Sequence, residues 1–478
     1  MKKVNNIRQY YLIETMGCQM NERDSETVAG MLEELGYERA PAQAAQGCGG
    51  KAQALSAARL AADVIVVNTC SVRENADNKF FGTLGQIKKA KEADPCKIVA
   101  VCGCMMQQPH IVSDIQRRFP WVDIVFGTMN IEAFPSMLAG ALNARKGRVA
   151  DQVSPPWHSA LVDIRTDAGE IAEGLPSRRA RPFSAFVNIT YGCNNFCTYC
   201  IVPLARGRER SRRPEAILCE VEALAADGVR EITLLGQNVN SYRSPDSGGT
   251  GFPSLIRMLD AVPGIERIRF MTSHPKDLSD GLIDCYRTAR RLCPSIHLPI
   301  QSGSADVLRR MNRGYSKEYY IALTEKLRAA LPEIVITTDF IVGFPGETDA
   351  DFEETMDVIE RVRFDAAFTF LYSPREGTPA AEYEGRVPAV VAHARFDRMV
   401  SRLNAIAAEK NRAMLGRIYD VLIEGPSKTD ESMLTGRTPG GKLVNIRPPA
   451  RGSHELAGAI EPVRLVESGT FSFIGEFA

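Results

Sequence analysis

The chain has 478 residues, of which 44% are hydrophobic and 24% charged. That is a globular composition with room for about three domains of ~150 residues, and it excludes a disordered or fibrous chain. Lys plus Arg and Asp plus Glu each number 58, so the formal net charge is zero; contact with nucleic acid must come from a local patch, not from the field of the whole molecule.

The N-terminus reads MKKVNNIRQYYLIET, basic but without an apolar stretch, and no run approaches the ~18 apolar residues of a membrane helix. A cytoplasmic protein with no membrane partner is expected. Twelve cysteines in such a chain need a reason. Disulfides are disfavoured in that compartment, so grouped cysteines point to metal or catalysis.

The first stretch, 8–148, alternates short β-branched or aromatic runs (10–13, 64–67, 98–101 and 122–125) with helical patterns (22–35, 72–91, 110–118 and 131–144). This alternation predicts an open parallel α/β sheet. Residues 40–61, rich in Ala, Gln and Gly, read as a solvent-exposed insertion. Cys18, Cys70 and Cys104 each follow one of these strands. Ligands of an open parallel sheet gather outside the strand C-termini. The three thiols can therefore converge on a site one ligand short of the usual four. The alternative is buried thiols in strand-end turns, and on spacing Cys102 competes with Cys104. Residues 149–182, with Pro155-Pro156, Pro176 and the basic Arg178, Arg179 and Arg181, read as a linker.

The second stretch, 183–413, carries six strands (183–190, 231–235, 267–270, 296–299, 334–341 and 366–372). Helical segments follow at 214–227, 277–290, 304–330 and 349–362, and a long helix at 389–413 ends the domain. Six βα units close only part of a barrel, a (β/α)6 TIM-like half-shell whose wide mouth can admit a large substrate.

Directly after the first of these strands come Cys193, Cys197 and Cys200, spaced CxxxCxxC. Loops at strand C-termini carry the chemistry of βα barrels. Three thiolates hold three irons of a four-iron, four-sulfur cluster, and the fourth iron lacks a protein ligand. That iron can chelate the amino and carboxylate groups of S-adenosylmethionine, whose sulfonium an electron from the cluster can split. Zinc would want a second CxxC pair, which is missing. Next come Arg206, Arg208, Arg210, Arg212 and Arg213. A run like this is ordinarily a solvated loop, but beside an active-site loop it is a candidate phosphate contact. Some of these arginines can instead hold the cofactor or pair with helix carboxylates.

The last stretch, 414–478, is short-stranded and Gly-punctuated, which predicts a small antiparallel β-barrel of the kind that binds RNA. Cys48, Cys96, Cys102, Cys219, Cys285 and Cys293 are expected to be structural.

The cysteine triplet with Tyr199 before its last member resembles the radical S-adenosylmethionine superfamily. Leu235–Asn238, His297–Gly303 and Thr338–Thr348 resemble further segments of that superfamily. Together with Cys18, Cys70 and Cys104, they make the chain similar to the methylthiotransferases over nearly its whole length. The departure is the longer gap between Cys18 and Cys70, which leaves Cys48 unassigned. The resemblance implies an N-terminal domain whose Cys18, Cys70 and Cys104, not Cys102, hold an auxiliary four-iron, four-sulfur cluster. It also implies a radical core and a C-terminal barrel called TRAM. Cofactor contacts are implied near Tyr199, Gly236, Gln237, Gln301, Ser302, Asp339 and Gly343. S-adenosylmethionine would serve as both radical source and methyl donor. NTCSVRENA, QMN and YGCNNFC look like the branch that adds a methylthio group to an isopentenylated adenosine beside the anticodon of transfer RNA. Other branches act on threonylcarbamoyladenosine or on an aspartate of a ribosomal protein, and a non-catalytic iron–sulfur RNA-binding sensor is the remote rival. Expected partners are a transfer RNA anticodon stem-loop, an electron donor such as flavodoxin or ferredoxin, and a sulfur or iron–sulfur carrier. A monomer suffices.

Overall fold

The computed structural model describes residues 8–41, 50–71, 74–150, 159–167, 169–246, 249–428, 430, 432–448 and 456–478. They form two compact units. One runs to Ala180 and takes in Ile201–Glu209; the other comprises Arg181–Cys200 and Arg210–Ala478.

The first unit is built on six strands: β1 (Gln9–Met16), β2 (Tyr37–Arg39), β3 (Val64–Thr69), β4 (Ile98–Gly103), β5 (Ile124–Phe126) and β6 (Leu161–Asp163). They form one parallel sheet in the order β2-β1-β3-β4-β5-β6. β3 and β4 are buried along their full length. Their unbroken apolar runs are the signature of a parallel strand covered on both faces. Alternate side chains supply the two cores. Ile65, Val67, Val99 and Val101 pack with Phe80, Leu84 and Ile115, whereas Val64, Val66, Ile98 and Ala100 pack with Val28, Leu32 and Leu138. The helices of this unit are α1 (Gln19–Glu34), α2 (Gly50–Ala61), α3 (Glu74–Ala93), α4 (Pro109–Arg118), α5 (Phe134–Ala150) and the five-residue α6 (Val202–Arg206).

Two expectations need correction here. Residues 50–61 are not an exposed insertion but α2, which buries Ala58 and sets the buried Arg59 against Glu14 at 2.7 Å. Residues 42–49, with Cys48, lie outside the described residues. The segment 149–182 is not only a linker: its 161–163 portion pairs with β5 as the sixth strand. Farther on, Arg178 N donates to Glu26 O at 2.8 Å. Both were missed because three-residue strands and Ala-rich helices carry little periodicity. In the core, Asp123 binds Lys91 at 2.6 Å and Arg145, all three buried.

The second unit contains β7 (Ser184–Asn188), the short ribbon β8 (Thr190–Tyr191) and β9 (Arg210–Ser211), then β10 (Glu231–Leu235), β11 (Arg267–Phe270), β12 (Ser295–His297), β13 (Val335–Val342) and β14 (Ala366–Leu371). Its parallel strands form two triplets, β7-β10-β11 and β12-β13-β14. A parallel bridge from Ile268 to Leu292 and the bond from Cys293 N to Ile268 O at 2.9 Å link them. The result is the open six-stranded shell expected from the βα count. Around it lie α7 (Pro214–Ala226), α8 (Phe252–Asp260), α9 (Asp280–Thr288), α10 (Ala305–Arg310), α11 (Lys317–Ala330), α12 (Asp349–Val362) and α13 (Ala389–Arg412). The single helix expected over 304–330 is two, parted at Asn312 and Gly314, whose φ values of 57° and 70° are left-handed.

β15 (Ile418–Pro426), β16 (Leu434–Arg437), β17 (Leu443–Ile446), β18 (Ile460–Ser468) and β19 (Ser472–Phe477) close a barrel in the order β15-β16-β17-β19-β18. One seam, β17 to β19, is parallel. The chain crosses from β17 to β18 before the final hairpin, so β19 meets β17 running the same way. In the same unit Arg267 and Arg269 of β11 donate to the carbonyls of Asp420, Arg437, Thr438 and Pro439, and Arg269 also binds Glu231 at 2.8 Å. Four charge-assisted bonds to backbone fix this barrel to the end of the shell where β11 begins.

Candidate functional site

In the second unit the cysteine loop leaves β8 through Gly192, whose φ is 74°. Cys193 and Cys197 are buried and Cys200 is half-buried. The loop is held from several sides. Thr198 N donates to Met311 O at 3.1 Å and Thr198 Oγ1 to Arg310 O at 2.8 Å, both at the end of α10. Asn312 Nδ2 caps Asn195 O and Phe196 O.

Arg313 sits in the break after α10. Its Nη1 donates to Cys197 Sγ at 3.3 Å and to Tyr199 Oη at 3.4 Å, its Nη2 to Pro299 O at 2.8 Å and its Nε to Tyr315 Oη at 2.8 Å. Asn195 N approaches Cys193 Sγ at 3.5 Å. A buried guanidinium and a backbone amide aimed at sulfur suit thiolates, which is the state a cluster ligand needs. Sequence reasoning missed Arg313, because nothing local in MNRGY says that it faces a loop more than a hundred residues earlier.

Beside this loop, just past the C-terminal ends of β7, β10 and β11, buried polar atoms accumulate. Thr190 Oγ1, Gln237 Oε1, Asn238 Oδ1, Ser273 Oγ and His274 Nε2 have no hydrogen-bond partner among the described residues. Orphaned buried polar atoms cost free energy, so such a group at a barrel mouth fits a polar ligand. His274 Nδ1 accepts from Lys276 N at 3.3 Å, which puts the ring proton on the orphan Nε2. Burial, aided by the Arg313 charge, holds that imidazole down to about 2, so it is neutral. Thr272, two residues before His274, is held at φ 70°, a strained conformation for a β-branched side chain.

The other candidates of this unit divide. Gly236 is needed as glycine, since a Cβ there would meet Thr190 Oγ1 at 2.0 Å. Tyr199 is half-buried under Arg313. Asp339 Oδ1 lies 3.3 Å from His297 Nε2. Gln301 has φ 76° and joins β13 through its backbone. Ser302 spends its hydroxyl on Thr355 and Ser304, and Gly343 N donates to Glu347, so both serve turns first.

In the first unit three separate strand ends meet. Cys18 caps α1 after β1, Cys70 follows β3, and Cys104 follows β4 at the start of a short turn, Cys104–Gln107. The Cys70 thiol lies within hydrogen-bonding reach of both Cys18 and Cys104. Its bond holds the Cys18 thiol down to about 6 against the opposing effect of burial, with the Arg206 cation and the amides of Asn21 and Met20 adding to it. Cys104 is lowered chiefly by the same partner, and Cys70 is pushed up between its two neighbours.

The strand ends are locked by Asn21, whose Nδ2 donates to Asn68 Oδ1 at 2.8 Å and to Thr69 O at 3.1 Å. Gly17 and Gly103 make the approach possible. A Cβ at Gly17 would meet Cys70 Cβ at 2.6 Å, and one at Gly103 would meet Thr69 O at 2.2 Å. Cys102 is still inside β4 and packs in the core with Ile124 and Phe126, whereas Gly103, at φ 104°, ends the strand and lets Cys104 turn toward Cys70.

Among the described residues no group of three or more His, Cys, Asp or Glu side chains surrounds a single ion. A cuboidal cluster does not ask for that, because each thiolate takes its own iron. Three converging thiols with a cation beside them fit such a cluster.

The arginine run is split by the fold. Arg206 is only 5% exposed; its Nε donates to Cys104 Sγ at 3.3 Å and its Nη2 to Asp24 at 2.7 Å. Arg212 is buried, bound to Asn188 O at 2.8 Å and to Glu220 at 2.6 Å. Neither can contact RNA as expected, because burial keeps both from a phosphate. Arg208 and Arg213 are exposed and Arg210 is half-buried. Cys285 and Cys293 are core residues as expected, whereas Cys96 and Cys219 are exposed. Cys219 lies on the solvent side of α7.

Comparison with known proteins adds identity to this geometry. A model of the radical SAM superfamily matches residues 187–359, a model described as uncharacterized protein family UPF0004 matches 10–48 and 50–127, and a TRAM domain model matches 412–476. The tRNA-2-methylthio-N(6)-dimethylallyladenosine synthase of Clostridioides difficile (strain 630) is 46% identical over 98% of this chain and 91% of the relative. That of Clostridium botulinum (strain Alaska E43 / Type E3) is 47% identical over 99% and 97%. Among solved structures, the radical S-adenosylmethionine methyltransferase TsrM of Kitasatospora setae shares the fold, with a TM-score of 0.54 at 14% identity over 78% of this chain and 74% of that one.

Proposed function

The chain belongs to the family of tRNA-2-methylthio-N(6)-dimethylallyladenosine synthases, radical S-adenosylmethionine enzymes, and from that premise we propose how its two cysteine sites share the work. The enzyme converts the isopentenylated adenosine beside the anticodon of transfer RNA to its 2-methylthio derivative. S-adenosylmethionine and two four-iron, four-sulfur clusters supply the radical, the methyl group and the sulfur.

Cys193, Cys197 and Cys200 would hold one cluster, which with S-adenosylmethionine would supply the radical. Arg313 presses a cation on the Cys197 sulfur and, through Tyr199, orders the last turn of the loop. The orphan polar atoms of Thr190, Gln237, Asn238, Ser273 and His274 would hold the polar cofactor. His274, neutral there, can donate from Nε2 without adding charge. Cys18, Cys70 and Cys104 hold the second cluster, with Cys18 on the open side. Phosphates of the anticodon stem-loop are met by Arg208 and Arg213 and by the C-terminal barrel. The electron donor is of the flavodoxin or ferredoxin kind, a carrier replenishes sulfur, and the enzyme works as a cytoplasmic monomer. Among the described residues no helix is long and apolar enough to cross a membrane.

The observation that carries this reading is the convergence of Cys18, Cys70 and Cys104 in a unit apart from the radical loop. The test is anaerobic reconstitution and iron counting, then addition of reductant, S-adenosylmethionine and isopentenylated transfer RNA. About eight irons, two clusters' worth, with release of deoxyadenosine and formation of methylthio-adenosine, are expected. About four irons, or deoxyadenosine with no modified base, would overturn it.

A further inference from the structure

We propose that Arg206 is a positioning residue of the N-terminal cluster, a fixed cation at the Cys104 sulfur that raises the reduction potential of the cluster held there. This rests on the two-cluster reading above, and the test separates the two.

Arg206 ends α6, a helix too short to stand alone. The helix is tied into its unit by the bond from Thr128 Oγ1 to Ala205 O at 2.7 Å, and Gly207 at φ 76° turns the chain away immediately afterwards. The guanidinium is buried, and it has two partners of different kinds. Nη2 meets the carboxylate of Asp24 at 2.7 Å, and Nε meets Cys104 Sγ at 3.3 Å. A charge is buried only when paired and hydrogen-bonded. Asp24 satisfies the first need and fixes the plane of the fork. The Nε–H that remains is thereby aimed at a ligand sulfur. Asp24 is itself largely buried, so the pair is poorly screened.

Hydrogen bonds and charges at the ligating sulfurs set the potential of a cluster. Reduction adds one negative charge. A cation beside a sulfur stabilises the reduced form, and a carboxylate behind it opposes that effect. The two residues must therefore act with opposite sign. A merely structural pair would give the same sign or none.

The experiment uses the full-length chain with Cys193, Cys197 and Cys200 replaced by alanine, so that only the N-terminal cluster, about four irons, is read. Its midpoint potential is followed by a redox titration monitored by electron paramagnetic resonance. R206M should shift the midpoint down, R206K should recover part of the shift, and D24N should move it up. Unchanged midpoints at equal iron content would overturn the proposal, as would R206M and D24N shifting together. If R206M loads no iron, R206K decides. A loaded lysine variant upholds the role of charge, and an empty one shows that the fork's shape alone was needed and overturns it. A background chain that binds no iron overturns the two-cluster reading itself, and this proposal with it.

Discussion

The two cysteine triads of this protein are held by opposite means. Cys193, Cys197 and Cys200 share one loop, and their spacing is written in eight consecutive residues. Cys18, Cys70 and Cys104 come from three strand ends and meet only because β1, β3 and β4 are neighbours in register. Each triad has a buried arginine on one sulfur, Arg313 on Cys197 and Arg206 on Cys104. The sulfur environments are alike, but the first triad survives as long as its loop does, whereas the second exists only in the folded sheet.

The largest expected effect is total. Cys197→Ala should remove about four irons and abolish deoxyadenosine release. Cys70→Ala should also remove about four irons, leave deoxyadenosine release and stop the methylthio product. Iron analysis and chromatography of the products check both. Normal product from Cys70→Ala would break the comparison.

Next in size is Asp123→Ala, which strands Lys91 and Arg145 in the first core. Such a loss costs about 3–5 kcal/mol. Chemical denaturation should show the first unit unfolding earlier. Iron should be lost from the N-terminal site and kept at the radical site, because only the former needs the sheet.

A smaller change sharpens the same point. Gly103→Ala puts a Cβ against Thr69 O at a residue whose φ is 104°. Strain of about 1–3 kcal/mol is expected, read as reduced iron at the N-terminal site with the radical site full. The mildest effect falls on the surface. Arg208→Ala and Arg213→Ala should each weaken transfer RNA binding a few-fold and lower the salt slope by about 1, with cluster content unchanged. Arg212→Ala should instead lower stability, since that side chain is spent on Asn188 and Glu220. A titration of binding against salt separates the two classes.

What could be read in the chain beforehand follows from the range of the forces involved. β3 and β4 announce themselves because strands covered on both faces carry near-continuous apolar runs, here 64–67 and 98–101. Where the signal is short or faint it fails, as at β6, at the Ala-rich α2 and at the break between α10 and α11 that creates the perch for Arg313. Cys219 fits an apolar helical pattern yet faces solvent, because a few apolar neighbours do not fix which side of a helix turns inward.

By itself the sequence determined the open parallel sheet, the six-stranded shell, the C-terminal barrel and the radical loop, since each rests on residues near one another in the chain. Spacing alone left Cys102 and Cys104 open and the resemblance pointed to Cys104; the tertiary structure shows how Cys104 comes to sit beside Cys70, and it alone decided that Arg206 and Arg212 are buried while Arg208 and Arg213 face water. The turn at Gly103 after β4 and the packing that buries Arg206 and Arg212 settle those choices. Both depend on packing between distant segments, which no local pattern encodes.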